Sequence, residues 1–216
     1  MADWASRVAQ RVGEAGPAAP IRGHAQSDDA RRVTVELEAV RQELRVTRAR
    51  LVEAEARAEI DPLLDIVNRR GFERQLARAI AFRQRYETPV ALIYLDLDDF
   101  KPVNDRYGHA VGDSVLKLVA ATLVSKVRGS DVVARIGGDE LAVLLWNLGE
   151  AEAERKAEEL EEAVGVAAID VNGTRVSVGA SAGVGMLHSD DTPVEAIARA
   201  DAAMYRRKAA RKASLA

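Results

Sequence analysis

Apolar residues recur in a seven-residue pattern between Val33 and Ala58, and charged residues fill most of the positions between them. When Leu37 is placed at heptad position a, the a positions are Leu37, Leu44, Leu51 and Ala58, and the d positions are Val33, Val40, Thr47 and Ala54. This spacing predicts a helix whose apolar stripe packs along a partner helix.

The charged residues beside that stripe favour a parallel pair of helices. In a parallel dimer, position g of one helix lies near position e of the partner's next heptad. These pairs are Glu36 with Arg41, Glu43 with Arg48, and Arg50 with Glu55, and each joins opposite charges. We therefore expect a coiled-coil dimerisation helix over residues 30–60, with homodimer contacts through residues 33–58. A single amphipathic helix that lies on its own domain is the alternative.

The segment before this helix lacks a comparable pattern. Gly13, Gly16, Pro17 and Pro20 interrupt the only apolar stripe there, because glycine and proline are strong breakers of regular structure. We expect residues 1–29 to be flexible.

Downstream of Pro62 the pattern changes to short apolar runs that alternate with helical stripes. Residues 90–95 form an unbroken apolar run, typical of a strand buried on both faces. Residues 132–134 and 141–146 flank a Gly-Gly-Asp turn, which predicts a hairpin. Periodicity and end signals predict helices over 69–85, 102–107, 114–127, 151–164 and 193–208, and a strand over 175–186. This order predicts one α+β domain over residues 61–216, with helices flanking a central, mostly antiparallel sheet.

Composition narrows the function classes. The 216 residues carry a net charge of −3 and include no cysteine, so a nucleic-acid partner, disulfides and thiolate metal sites are not expected. The sequence shows neither an apolar run of membrane-spanning length nor a signal peptide. We expect a cytoplasmic protein without a membrane segment.

Two acidic clusters lie where predicted strands end. Asp139 and Glu140 follow the two glycines of the hairpin tip, and Asp96 ends the apolar run. If the hairpin lies beside that strand, Asp96 and Asp139 converge. Two carboxylates together with substrate phosphate oxygens are a common way to hold Mg²⁺.

Seven blocks around these acids resemble the GGDEF-domain diguanylate cyclases, which condense two GTP into cyclic di-GMP and release pyrophosphate. In family order they are Asn68–Arg70, Asp96–Lys101, Asn104–His109, Gly112–Asp113, Arg128–Asp131, Arg135–Leu141, and Ala200–Tyr205 with Lys208. The resemblance spans about residues 61–212 and implies the polymerase-palm-like fold of nucleotidyl cyclases.

The resemblance also implies a role for each matching residue. It implies Asp96, Asp139 and Glu140 as catalytic residues, and Asp96, Leu97 and Asp139 as ligands of Mg²⁺ or Mn²⁺. It implies Asn104 and Asp113 as guanine readers. It implies Lys101, Lys208, Lys212 and the backbone N–H groups from Asp98 to Phe100, including Asp99, as phosphate-binding groups. Arg128 and Asp131 match the inhibitory site that binds cyclic di-GMP.

Each role has a simpler structural alternative. Asn104 could cap a turn, Asp113 could cap the next helix, and Lys101 could be a solvated charge. Arg128 and Asp131 could be an ordinary i, i+3 charged pair at a helix end.

The chain departs from the family pattern at three places. Leu63–Ile66 replaces Leu-Thr-Gly-Leu, Leu141 replaces phenylalanine, and Arg211–Ala213 replaces Gly-Arg-Asn. The functional alternative is a weak or silent domain that acts as a cyclic di-GMP receptor or scaffold. Intact Asp139 and Glu140 favour the active enzyme.

Overall fold

The computed structural model describes residues 23–57 and 59–214, which fall into two units divided after Arg57. In the first unit, helix α1 (Gly23–Arg57) runs for 35 residues. It begins at Gly23 and not at residue 30, so the last part of the segment expected to be flexible is helical. Residues 1–22 of that segment lie outside the described residues.

The apolar stripe of α1 is exposed along its length. The exposed side chains at its a and d positions include Val33, Leu37, Val40, Leu44 and Leu51. Ala58, the last a position, lies outside the described residues. Dimerisation through this stripe stays a prediction.

The second unit contains all the strands and the remaining helices of the described chain. The strands are β1 (Val67–Asn68), β2 (Val90–Asp98), β3 (Val132–Arg135), β4 (Glu140–Trp146), β5 (Ile169–Val171), β6 (Thr174–Val176) and β7 (Gly179–Met186). The helices are α2 (Arg69–Tyr86), α3 (Phe100–Tyr107), α4 (His109–Ser125), α5 (Glu150–Val166) and α6 (Pro193–Ser214).

Five strands form one sheet in the order β1-β3-β4-β2-β7. The β1–β3 pair is parallel, and the other three pairs are antiparallel. Strands β5 and β6 form a separate hairpin. The prediction of an α+β fold with a mostly antiparallel sheet is confirmed.

Helices cover both faces of the sheet because its central strand is apolar on both sides. Ile93 and Leu95 of β2 pack with residues of α3, α4 and α5 on one face. Leu92 and Tyr94 pack with α2 and α6 on the other. Side chains alternate along a strand, so Asp96 and Asp98 continue the face that carries α6.

Helix α6 lies very close to β7 at Gly183. A Cβ atom there would overlap the backbone of Ala200 and Met204. Because only glycine permits this approach, Gly183 helps to set the packing distance between α6 and the sheet.

Two element predictions were wrong. The strand expected over 175–186 is divided between the β5–β6 hairpin and β7. The helix expected from Ser114 begins at His109, and Ser114 donates its hydroxyl to the carbonyl of Ala110 within that helix. A serine that bonds back to residue i−4 is an interior residue and not a cap.

Candidate active site

The predicted catalytic acids gather at one end of the sheet. The β2–β4 register makes Asp96 and Glu140 cross-strand partners. The next residue, Leu97, donates its backbone N–H to the carbonyl oxygen of Asp139 over 3.2 Å. The hairpin therefore lies beside β2, which was the condition for the acids to converge, and it brings Asp139 and Glu140 to the acidic end of that strand.

Arg135 holds the tip of this hairpin from the side. Its guanidinium donates to the carbonyl oxygens of Gly137 (3.0 Å) and Gly138 (2.8 Å). The Nη1 atom of the same guanidinium lies 3.3 Å from Oδ2 of Asp61. The turn that carries the two acids is thereby tied to the start of the domain.

Gly137 makes room for the side chain of Glu140. A Cβ atom at this position would overlap the carboxylate of Glu140. Any other residue would have to displace Glu140, so this glycine is needed for space. At Gly138 nothing lies within 4 Å of an added Cβ atom.

Lys208 contacts two acids of β2. From α6, its Nζ atom bonds Asp96 and lies 3.3 Å from Oδ1 of Asp98. Burial alone would lower the pKa of Lys208, but the bonds to Asp96 and Asp98 outweigh it and raise the pKa. The ammonium is therefore charged and stays beside the predicted metal ligand.

The sequence implies a role only for the backbone N–H of Asp98, but the structure shows that its side chain is firmly held. The hydroxyl of Ser181 on β7 lies 3.0 Å from both its carboxylate oxygens. Arg211 of α6 lies 3.4 Å from Oδ2. The signal was present, because a residue two positions after Asp96 on a strand shares its face.

Tyr94 lies under the acids on the same face. Burial, followed by the negative charge of Glu140 and of Asp201, raises the pKa of Tyr94. The phenol thus stays protonated beside the Glu140 carboxylate.

The predicted phosphate-binding backbone lies at the start of α3. Asp99 adopts a left-handed conformation with φ of 58°, and Phe100 behind it is buried. This reversal turns the chain from β2 into α3, whose first N–H groups have no partners within the helix. Lys101 follows at the second position of α3 and is exposed.

Asn104 and Asp113 lie close together. The side chain of Asn104 packs on Gly112, where a Cβ atom would overlap its Oδ1 atom. Asp113 follows Gly112 and is exposed in the second turn of α4. Because α4 starts at His109, the alternative that Asp113 caps this helix is wrong.

Arg128 and Asp131 lie in a separate place, at a cavity of about 290 Å³ beside α5. The residues that line it include Lys126, Arg128, Asp131, Glu152, Arg155 and Lys156. The two predicted ligands are joined by a hydrogen bond in which the backbone N–H of Arg128 donates to the side-chain carboxylate of Asp131 over 2.9 Å. Asp131 also accepts from the N–H of Trp146.

The departures from the family pattern have local explanations. Asp65 stands at the family's glycine position with φ of 55°, a conformation that aspartate tolerates better than most residues. Leu141 is fully buried. Arg211 contacts Asp98 and the Ala180 carbonyl. The side chain of Lys212 lies outside the described residues.

Among the described residues, His188, Asp190 and Asp191 bring possible metal-ligand atoms within 4.8 Å of one another. Arg199 already bonds both His188 and Asp191, and the N–H of His188 donates to Asp191 over 2.7 Å. These contacts identify the cluster as the turn before α6. Asp96, Asp139 and Glu140 do not form so close a group in the described part of the chain.

The structure thus combines an α+β sheet with acids and a lysine at one end of that sheet. The chain belongs to the GGDEF family, because the family model described as "Diguanylate cyclase, GGDEF domain" matches residues 58–214.

Relatives and solved structures agree with this assignment. The diguanylate cyclase DgcP of Pseudomonas aeruginosa is 32% identical over 169 residues, which are 78% of this chain and 25% of DgcP. This chain thus spans a quarter of that relative's length.

Two crystal structures are similar in fold. The coiled coil and GGDEF domain of DgcB from Caulobacter crescentus, in complex with c-di-GMP, has a TM-score of 0.67 at 26% identity, covering 82% of this chain and 95% of that one. Diguanylate cyclase SiaD in complex with its activator SiaC, from Pseudomonas aeruginosa, has a TM-score of 0.68 at 30% identity, covering 95% and 75%.

Within residues 23–57 and 59–214, none of the helices combines the length and the apolar character that crossing a membrane requires.

Proposed function

We propose that this chain is an active diguanylate cyclase that condenses two GTP into cyclic di-GMP and releases two pyrophosphates. The observation that carries the proposal is the cross-strand pairing of Asp96 with Glu140, beside the contact of Leu97 with Asp139. This pairing brings the acids of two separate sequence blocks to the same end of the sheet.

The residues present fit a divalent cation such as Mg²⁺ or Mn²⁺. Asp96 and Asp139 offer carboxylate oxygens, and the 3.2 Å contact of Leu97 N–H with the Asp139 carbonyl places their backbones side by side. Within a strand the carbonyl of a residue points to the same side as its N–H, so the Leu97 carbonyl faces the hairpin. Hard oxygen donors of this kind are those that Mg²⁺ prefers. A bound cation would withdraw charge from the phosphate oxygens.

Glu140 is proposed to accept the proton of the attacking 3′-hydroxyl. It lies across from Asp96, so a hydroxyl between the two strands would be near the cation ligands and the base together. Phosphoryl-type transfer depends mainly on positioning and charge neutralisation. Lys208 supplies a positive charge beside Asp96.

GTP is proposed to bind between α3, α4 and the end of β2. Asp113 would accept from the N1–H and amino group of guanine, which adenine lacks at that edge, while Asn104 lies beside it on Gly112. The N–H groups around Asp99 and Phe100 start α3, and a helix start is a favourable place for phosphate. Lys101, Lys208 and Lys212 would meet the terminal phosphates.

The reaction joins two GTP molecules, and each domain offers one set of these residues, so we propose a homodimer through residues 33–58 of α1. The exposed Leu37, Leu44 and Leu51 support this, because a row of exposed apolar side chains marks an interaction site. DgcB, a protein of similar fold, also carries a coiled coil.

Cyclic di-GMP is proposed to inhibit the enzyme at Arg128 and Asp131. Their cavity is separate from the acidic site and is lined by further cations, Lys126, Arg155 and Lys156. The product carries two phosphodiesters and two guanines, which suit cations and a carboxylate, respectively.

The decisive experiment is to incubate the pure protein with GTP and Mg²⁺ and to separate the products by chromatography. We expect cyclic di-GMP and pyrophosphate to form in a ratio of one to two. Binding of cyclic di-GMP without turnover would instead support the receptor alternative, and neither activity nor binding would support a scaffold.

A further inference from the structure

We infer that Asp98 is a positioning residue: it gives Lys208 a second, fixed acceptor and so leaves Asp96 able to bind the cation. The inference rests on the proposed function only in taking Asp96 as a cation ligand. The family resemblance implies a role only for the backbone N–H of Asp98, and none for its carboxylate.

Lys208 is shared between two carboxylates of the same strand. Its Nζ atom bonds Asp96 and lies 3.3 Å from Oδ1 of Asp98. Asp96 and Asp98 share one face of β2, below α6, so both reach the same ammonium. An ammonium with only Asp96 as an acceptor would compete directly with a cation for that carboxylate.

The carboxylate of Asp98 is fixed in orientation from two sides. Ser181 lies 3.0 Å from each of its oxygens, and Arg211 lies 3.4 Å from Oδ2. Oδ1 is therefore the oxygen presented to Lys208.

Arg211 is itself anchored, and it stands where the family pattern has glycine. Its guanidinium donates to the carbonyl oxygen of Ala180 over 2.9 Å and lies 3.7 Å from Glu161 of α5. Glu161 in turn accepts from the N–H of Ala182 over 2.7 Å. Asp98 is thus connected to both α5 and β7.

The test is Mn²⁺ binding to the full, nucleotide-free chain, followed by the electron paramagnetic resonance signal of free Mn²⁺. Every variant carries Asp190→Asn, which removes one acid from the exposed His188 cluster. Asp96→Asn defines binding at the site. We expect Asp98→Asn to weaken Asp96-dependent binding about fivefold, the ratio that an ion pair of about 1 kcal/mol gives.

A double-mutant cycle separates positioning from plain electrostatics. Losing a negative charge near the cation would weaken binding with or without Lys208. If Asp98 acts through Lys208, Asp98→Asn has no effect when Lys208→Met is also present. Ser181→Ala, which changes no charge, should weaken binding about twofold, a smaller loss because Asp98 keeps its charge, and also only when Lys208 is present.

Three results are decisive. Equal binding by the Asp190→Asn parent and by its Asp98→Asn variant overturns the inference, and so does a loss of the same size in the Lys208→Met background. If Asp96→Asn binds Mn²⁺ as well as the Asp190→Asn parent, the proposed cation site itself is wrong. Circular dichroism spectra of all variants ensure that only folded protein is compared.

Discussion

Arg135 and Asp61 lie 74 positions apart in the chain, and their side chains meet at 3.3 Å. Both are largely buried, at 20% and 14% exposure. The Oδ1 atom of Asp61 accepts from the N–H groups of Leu63 and Leu64, while Arg135 bonds the glycine carbonyls of the hairpin. One ion pair therefore joins the entry turn of the domain to the turn that carries Asp139 and Glu140.

We expect Arg135→Ala to lower the free energy of unfolding by about 1.5–3 kcal/mol, the range for lost hydrogen bonds to a charged group. Cyclase activity should fall as well, because the Gly137–Gly138 turn loses its support. Thermal or urea unfolding measures the first effect. The matched control is Arg69→Ala, which removes an exposed i, i+4 pair with Glu73 and should change stability by less than about 0.5 kcal/mol.

Catalysis should require both strands of the acidic site. Asp96→Asn and Glu140→Gln remove a charge and keep the shape, so we expect folded proteins that form no cyclic di-GMP. Product chromatography and circular dichroism test this together. Turnover near the wild-type rate in either variant would contradict the assignment of the site.

Dimerisation should depend on α1. We expect deletion of residues 1–58 to give a mostly monomeric domain whose specific activity rises with protein concentration, because the coiled coil supplies a high effective concentration. Leu44→Asp should act similarly by placing a charge in the apolar stripe. Val46→Asp is the control, since Val46 is also exposed but lies outside the a and d positions. Analytical ultracentrifugation measures the oligomeric state of both variants. Equal dissociation of the two would contradict dimerisation through the a and d positions.

Product feedback should depend on Arg128. We expect non-competitive inhibition by cyclic di-GMP, weakened at least about tenfold by Arg128→Ala, since a charged hydrogen bond contributes roughly 1.5–3 kcal/mol. Arg128 is preferable to Asp131 for this test because Asp131 also accepts the N–H of Trp146. Initial rates at several GTP concentrations give the mode of inhibition, with Arg78→Ala as the control. Relief of inhibition by excess GTP would place the product in the substrate site.

The turn before α6 should contribute a pH-dependent part of the stability. Burial alone would raise the pKa of Asp191, but Arg199 and the backbone N–H of His188 outweigh it and lower the pKa. A lowered folded-state pKa means that this stabilisation is present above the unfolded value of about 3.9 and is lost as pH falls below it. In the Asp191→Asn variant the free energy of unfolding should therefore fall less steeply below about pH 4, as measured by acid unfolding curves. Asp190→Asn, which changes an exposed neighbour, should not.

Elements with a strong local signal were predictable from the sequence. The apolar run predicted β2, and the Gly137–Gly138 turn predicted the β3–β4 hairpin. Both could be predicted because burial on both faces and turn chemistry are local properties. The β5–β6 hairpin also had a signal, Asn172-Gly173, whose positive φ values of 53° and 80° suit a two-residue turn. That signal was missed.

Other features depend on partners distant in the chain. Strand β1 has two residues and depends on its pairing with β3 and on a bridge between Ile60 and Val67. The Asp98–Ser181–Arg211 contacts join β2, β7 and α6, and spacing within any one of these elements does not predict them. Positions of side chains at the site therefore required the tertiary structure, while the identities of the acids did not.

Strand β7 lies at one edge of the sheet, and side chains already bond part of its outer backbone. Glu161 accepts from Ala182 N–H, and Arg211 donates to the Ala180 carbonyl. An exposed edge strand can pair with a strand of another molecule, and such pairing leads to aggregation. In the proposed homodimer two copies would lie at high local concentration, where such pairing is a hazard. Glu161 and Arg211 would keep this part of the β7 edge from pairing with the sheet of the other copy.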